Sequence, residues 1–194
     1  MLYAIKILKN EMDIDSKLEL MIPLISDVSE LIKLKNHIKK TIEEMESKYS
    51  IKFDIKLGTM IELPRAALTA NKIAEHVEYF SFGSNDLTQT TYGISRDDIG
   101  SFLPDYLEQK IFKHDPFIKI DAEGVGELIK IAIDRGKKTN KAITLGVCGE
   151  HAGEPSSIDF FHKVGLNYIS CSPYRIPIAR VAAARSKIKL SKGI

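Results

Sequence analysis

GTMIELPRAALTANKIAEHVEYFSFGSNDLTQTTYG, residues 58–93, holds two short apolar runs, and each closes on acidic or amide side chains. The first run, 56–63, carries Glu62 just ahead of Pro64. Proline has no amide hydrogen to give to a sheet, so this run predicts a strand that stops there with Glu62 at its C-terminal end. Across 65–78, Ala66, Ala67, Ala70, Ile73, Ala74 and Val77 recur at helical spacing and predict one connecting amphipathic helix. The run 79–83 predicts a second strand, which delivers Ser84, Asn85 and Asp86. Strand-helix-strand units cross over right-handedly between parallel neighbours, so both strands end on one edge.

Paired strands lie about 4.8 Å apart, close enough for Glu62 and Asp86 to share one cation. Magnesium suits two such acids. It takes one or two carboxylates, retains waters and accepts further oxygens from a phosphorylated or carboxylated substrate. A random pair of acids is more often solvated or capping a helix. The turn at Gly83, Ser84 and Asn85 shifts that balance, because glycine lets backbone approach a ligand and the small polar residues offer amide hydrogens to oxygen anions.

With 194 residues, 44% hydrophobic and 28% charged, the chain has enough apolar material for one good core. A formal charge of +2 is too small to suggest a nucleic-acid partner. No stretch approaches the roughly 20 apolar residues of a membrane span, and the N-terminus has no secretory signal pattern. A cytoplasmic location is expected. Cys148 and Cys171 make neither a disulfide framework nor a paired metal signature, and read as free thiols.

Outward from the central unit, residues 1–9 are apolar at helical spacing with no capping residue before them, which hints at a helix entered partway and a truncated chain. The run 18–25 predicts a buried strand, and Asp27-Val28-Ser29-Glu30 resembles a capping box opening a helix toward Tyr49. From Gly93 to Gly124 lies a long excursion rich in turn residues, of the kind that is usually functional. A helix over 125–135 and a strand over 142–149 follow, the latter delivering Cys148, Gly149, Glu150 and His151 to the same edge. Glu150 and His151 are candidates for supporting roles around the site. A helix over 156–163, a strand over 167–171 and a closing helix from Pro177 through Ala184 lead to a lysine-rich tail. Five strands alternating with helices predict a parallel α/β fold, with each polar cluster placed after a strand. That polarity is expected of a (β/α)8 TIM-type barrel, of which residues 1–194 would form one partial domain, three strands short.

Three segments carry a resemblance: GTMIELPRAALTA (58–70), FSFGSNDLTQTTYGISRDD (80–98) and GVCGEHAGEPSSIDFFHKVGLNYISCSPYRIPIARVAAA (146–184). They resemble the C-terminal barrel of the pyruvate phosphate dikinases, within the wider family of phosphoenolpyruvate-utilising enzymes. The resemblance implies a barrel that interconverts pyruvate and phosphoenolpyruvate, while a histidine on a separate swivelling domain carries the phosphoryl group from an ATP-grasp domain. The complete enzyme interconverts ATP, phosphate and pyruvate with AMP, diphosphate and phosphoenolpyruvate. By the same resemblance Glu62 and Asp86 would hold magnesium and face substrate, and Gly83, Ser84 and Asn85 would line the substrate's carboxylate and phosphate.

Cys148 would be the acid/base at the enolate methylene. Thiol chemistry agrees, since a group with a reference pKa of about 8.5 is mostly protonated at neutral pH and can donate. Cys171 has no such neighbours and reads as packing the last strand. Expected partners are pyruvate or phosphoenolpyruvate, the nucleotide and phosphohistidine domains of the same enzyme, and a second copy of the chain. The family's phosphate-gripping arginines lie upstream, and Arg65, Arg96 and Arg175 do not occupy those motifs, so partial ligand binding and little turnover are expected of this chain alone. The alternatives are a non-catalytic, self-associating half-barrel and a stand-alone magnesium enzyme acting on pyruvate or oxaloacetate.

Overall fold

The computed structural model describes residues 1–14 and 16–193. Five strands, β1 (Leu18–Ile22), β2 (Ile55–Ile61), β3 (Tyr79–Gly83), β4 (Thr144–Cys148) and β5 (Tyr168–Ile169), make one all-parallel sheet in sequential order. Parallel neighbours need a crossover, and each is supplied by helix: α2 (Val28–Tyr49) between β1 and β2, α3 (Pro64–Leu68) and α4 (Ala70–Ala74) between β2 and β3. The β3 to β4 connection holds α5 (Ser84–Tyr92), the excursion with its short α6 (Leu103–Glu108), and α7 (Val125–Thr139). Helix α8 (Pro155–Lys163) leads to β5, α9 (Ile176–Lys192) closes the described chain, and α1 (Leu2–Met12) precedes β1. The α/β class and the five units agree with the sequence pattern; the sheet is open, a sector consistent with a TIM-type barrel.

Side chains alternate across the strands and give the sheet two different faces. Ile61, Phe80, Phe82, Leu145 and Val147 are buried and belong to one continuous core with Ile73, Ile129 and Phe161 from the helices. Helix α7 reaches the sheet closely because Gly136 meets the Phe80 ring, where a side chain would stand 2.7 Å from it. Gly58, Tyr79, Ser81, Gly146 and Tyr168 share the opposite face, by strand register. There the Tyr79 ring lies on Gly58 and the Tyr168 ring on Gly146, too near for any β-carbon.

Several boundaries differ from the sequence reading. The helix expected across 65–78 is broken at Thr69, whose backbone (φ −115°, ψ 20°) leaves the helical basin while its hydroxyl donates to the Arg65 carbonyl at 2.8 Å. The helical spacing runs through the break because both pieces bury the same side. β1 ends at Ile22 ahead of Pro23, and β5 keeps two paired residues where five were expected, since its pairing is to β4 alone among the described residues. Helix α7 runs one turn further than expected, to Thr139, and the lysine-rich tail is helix, with Lys189 held by Asp159 of α8 at 3.1 Å. The capping box on α2 closes one residue early: Asp27 accepts from the Ser29 amide at 2.9 Å, and Glu30 reaches back to the Ser26 amide at 3.0 Å.

Helix α8 has a denser cap. The Glu154 carboxylate accepts from the amides of Ser156 and Ser157 and from both hydroxyls, at 2.6 to 2.9 Å. Burial opposes its charge, but these four donors prevail and hold its pKa below the ordinary 4.5. A carboxylate depressed in the folded state stabilises the fold above its unfolded pKa and loses that contribution as pH falls through the folded value. Glu154→Gln is therefore expected to cost about 1 kcal/mol at neutral pH and to flatten the acid limb of a stability-versus-pH curve measured by urea melts.

Candidate functional site

Glu62, Gly83 and Cys148 sit at the ends of three adjacent strands and on one face of the sheet. Gly83 and Cys148 are register partners, and Glu62 follows Ile61, the partner of Phe82. Glu62 is 3% exposed, and its Oε1 accepts from the Leu24 amide at 2.7 Å. Gly83 is obligatory here: a β-carbon on it would lie 2.3 Å from Glu62 Oε2. Burial pushes the Glu62 pKa up, the Leu24 amide opposes this, and the neighbouring Asp86 carboxylate pushes it up again.

Asp86 is exposed in the first turn of α5. Among the described residues neither acid has a lysine, arginine or histidine within ion-pair distance. No group of three or more His, Cys, Asp or Glu side chains able to hold a metal occurs among them either. Two hard oxygen donors side by side, one buried and both without a counter-cation, fit magnesium, which uses one or two carboxylates and takes its other oxygens from water and substrate.

Ser84 and Asn85 open α5 rather than forming a free turn. The helix has Gly83 as its cap with no side-chain bond to the first amides, so its N-terminal N–H groups are left for an oxygen anion at the same edge. Both side chains are engaged inward. Ser84 is fully buried and its hydroxyl lies 2.8 Å from the Cys148 carbonyl, while Asn85 Oδ1 accepts from the Glu150 amide at 3.0 Å. What these residues can present to a ligand is backbone amide and the Asn85 amino group. Gly149, at φ 104°, makes the close approach possible: a β-carbon would meet Ser84 Oγ at 2.6 Å.

Cys148 is half-buried, with Sγ 3.6 Å from the Ser81 hydroxyl and 3.7 Å from the Phe82 carbonyl. Burial pushes its pKa up, the Ser81 hydroxyl opposes this, and the carboxylates of Glu62 and Asp86 raise it further. It is held as the thiol at neutral pH. Cys171 packs against the core beside β5, away from these groups. Of the remaining expectations, Arg65 is bound to the Ser26 carbonyl and Asp27 at the start of α2, and Arg175 is 3.7 Å from Glu150. His37 and His114 are exposed, and His76 and His162 partly covered.

Two residues escaped the sequence reading. Leu24 works through its backbone, held at φ 52°, and no side-chain pattern announces that. Ser81 had a signal: it is a hydroxyl at the same strand parity as Gly83, in a run otherwise aromatic. His151, read as an open question in the sequence, is fully buried and bonds to both Ser84 and the Pro116 carbonyl.

Residues 3–188 match the family described as PEP-utilising enzyme, PEP-binding domain. The chain is 67% identical over 186 residues to the pyruvate, phosphate dikinase of Rickettsia bellii, covering 96% of this chain and 21% of that protein. It is 69% identical over 176 residues to the enzyme of that name from Rickettsia prowazekii, covering 91% and 20%. With that of Clostridium symbiosum it shares 50% over 180 residues, 93% and 21%. The chain thus spans about a fifth of the length of these relatives. A match running through every strand and the whole strand-end edge settles the lineage: the chain belongs to the PEP-utilising enzymes, as a PEP-binding domain.

Proposed function

We propose that this chain is the phosphoenolpyruvate- and pyruvate-binding part of a pyruvate phosphate dikinase, with its nucleotide and phosphohistidine parts supplied from outside these 194 residues. One observation carries the reading: Glu62, the α5 N-terminus and the Cys148 thiol converge on one sheet edge, where two carboxylates without a cationic side chain in reach among the described residues lie beside a protonated thiol. Glu62 and Asp86 would hold magnesium. The ion, when bound, supplies Lewis-acid stabilisation to the enolate oxygen.

The chain's own groups do the rest. Amides at the start of α5 bind the substrate carboxylate or phosphate and orient it. Cys148 Sγ gives its proton to the enolate methylene carbon, forming the methyl group of pyruvate, and takes it back in the reverse direction. The raised thiol pKa keeps that proton in place until the carbanionic carbon arrives, and the Ser81 hydroxyl is placed to stabilise the thiolate left behind.

Oxalate imitates the enolate of pyruvate and is the probe of choice. Calorimetric titration of the chain is expected to show oxalate binding that requires magnesium; equal binding in its absence would overturn the metal assignment. Phosphoenolpyruvate formation is expected only when the chain is co-expressed with the nucleotide, histidine and upstream barrel parts, and only with Cys148 intact.

The two open sheet edges, β1 and β5, favour self-association or pairing with the missing strands. A groove of about 460 Å³ between α8, β5 and α9, lined by Ile158, Ile169, Cys171 and Ala179, adds apolar surface beside the β5 edge. Sedimentation velocity over a range of concentrations is expected to show mass-action association, and a strict monomer at high concentration would count against it.

A further inference from the structure

The long excursion between α5 and α7 is attached by one side chain of α8 and by one side chain of the turn that follows Cys148. The Ser157 hydroxyl accepts from the Ile120 amide at 3.0 Å, and His151 Nε2 lies 2.8 Å from the Pro116 carbonyl. His151 is fully buried, and its other nitrogen, Nδ1, is 2.9 Å from Ser84 Oγ. Ser84 Oγ in turn lies 2.8 Å from the Cys148 carbonyl. One side chain thus touches the excursion and, through a single hydroxyl, the peptide of the thiol.

The proton inventory of this chain of groups is tight. A carbonyl oxygen can only accept, so Nε2 carries a hydrogen toward Pro116. Burial pushes the imidazole below its ordinary pKa, which leaves Nδ1 bare and able to accept. Ser84 has one hydroxyl hydrogen, which Nδ1 and the Cys148 carbonyl share as acceptors, so Oγ donates to one while it stays in contact with the other. Gly149 permits the arrangement, since any side chain there would strike Ser84 Oγ. Packing alone would not need this arrangement; a buried apolar side chain would fill the volume without joining three separate elements.

We infer that His151 is a positioning residue that couples the seating of the 93–124 excursion to the placement of Cys148, with the Ser84 hydroxyl as the joint. Loosening either end loosens the other. The inference borrows its functional meaning from the reading of Cys148 as proton donor, but the coupling itself stands on the contacts alone.

Two readouts on the intact chain test it: the rate of proteolytic nicking within 93–124, and the alkylation rate of Cys148 mapped by mass spectrometry with Cys171 as internal reference. Ser84→Ala cuts the joint at the thiol end. It is expected to speed Cys148 alkylation about fivefold and, at a distance, nicking of the excursion by a similar factor. His151→Asn keeps an acceptor near Nδ1 but no longer reaches Pro116, and is expected to raise both rates. His151→Gln restores a donor toward Pro116 and is expected to recover most of the protection against nicking. The double variant Ser84→Ala/His151→Asn is expected to go little beyond either single change, because both break one linkage.

Additive effects in the double variant, or faster alkylation in Ser84→Ala with nicking unchanged, would overturn the coupling. Should the His151 variants fail to fold, Ser84→Ala decides the matter by that same second criterion. Failure of the broader functional reading looks different: a chain that binds no oxalate with magnesium yet shows linked nicking and alkylation keeps the coupling and loses the site.

Discussion

Glu62→Gln is expected to stabilise the chain and, in the same protein, to abolish its magnesium-dependent binding of oxalate. The opposite signs follow from one geometry. Glu62 is buried to 3% exposure, beside Asp86 and with no cation in reach among the described residues, so its charged form is disfavoured by burial first and by the neighbouring acid second. Glutamine preserves the oxygen that accepts from Leu24 and replaces the other with an amide that can donate to Asp86. Relief of the acid pair should be worth about 1 kcal/mol, or a rise of about 3 °C in melting temperature for a chain of this size. An amide is a poor ligand for a hard cation, and the affinity for oxalate with magnesium should fall about a hundredfold or more. Thermal melts and calorimetry on one preparation give both numbers. A destabilised variant that still binds oxalate in a magnesium-dependent way would contradict the site.

The second large effect is on folding. Phe80 is fully buried as the second residue of β3, between Thr59 on β2 and Leu145 on β4, and its ring fits against the bare backbone of Gly136 on α7. Phe80→Ala removes a ring from a place where sheet and helix are already in contact, so little can move in to fill it. The expected cost is about 3–5 kcal/mol, a large part of the total stability of an ordinary domain. Urea melts should show the loss as a much lower midpoint. Tyr174→Ala is the matched control, since that ring is 94% exposed and its removal should change stability by less than about 0.5 kcal/mol.

The legible parts of the sequence were those in which a local rule and the tertiary structure agree. β3 was readable to the residue because an aromatic run ends on glycine, and the pairing of β2 with β3 followed from the crossover rule. The single helix across 65–78 was misread because Thr69 interrupts the backbone without interrupting the apolar spacing. Helix α9 was cut short at Ala184 because its last turns are polar and owe their place to Lys189 meeting Asp159 on another helix. The site divides the same way. The placement of Glu62, Gly83, Asp86 and Cys148 at strand ends is legible in the sequence, whereas the Leu24 amide at φ 52° and the two contacts of His151 depend on backbone conformation and on a distant loop, which spacing does not encode.

The acid pair also bears on how such a sequence can drift. Selection for folding alone has every reason to discard Glu62: its charge is costly, its neighbour repels it, and an amide would serve the fold better. The same selection cannot discard Gly58 or Gly146, each pressed beneath a tyrosine ring. In a population of descendants, the two kinds of position would therefore age at different rates if selection acted on the fold alone. Substitution at Glu62 with those glycines intact would mark a lineage kept for its shape, and retention of both would mark one kept for its chemistry.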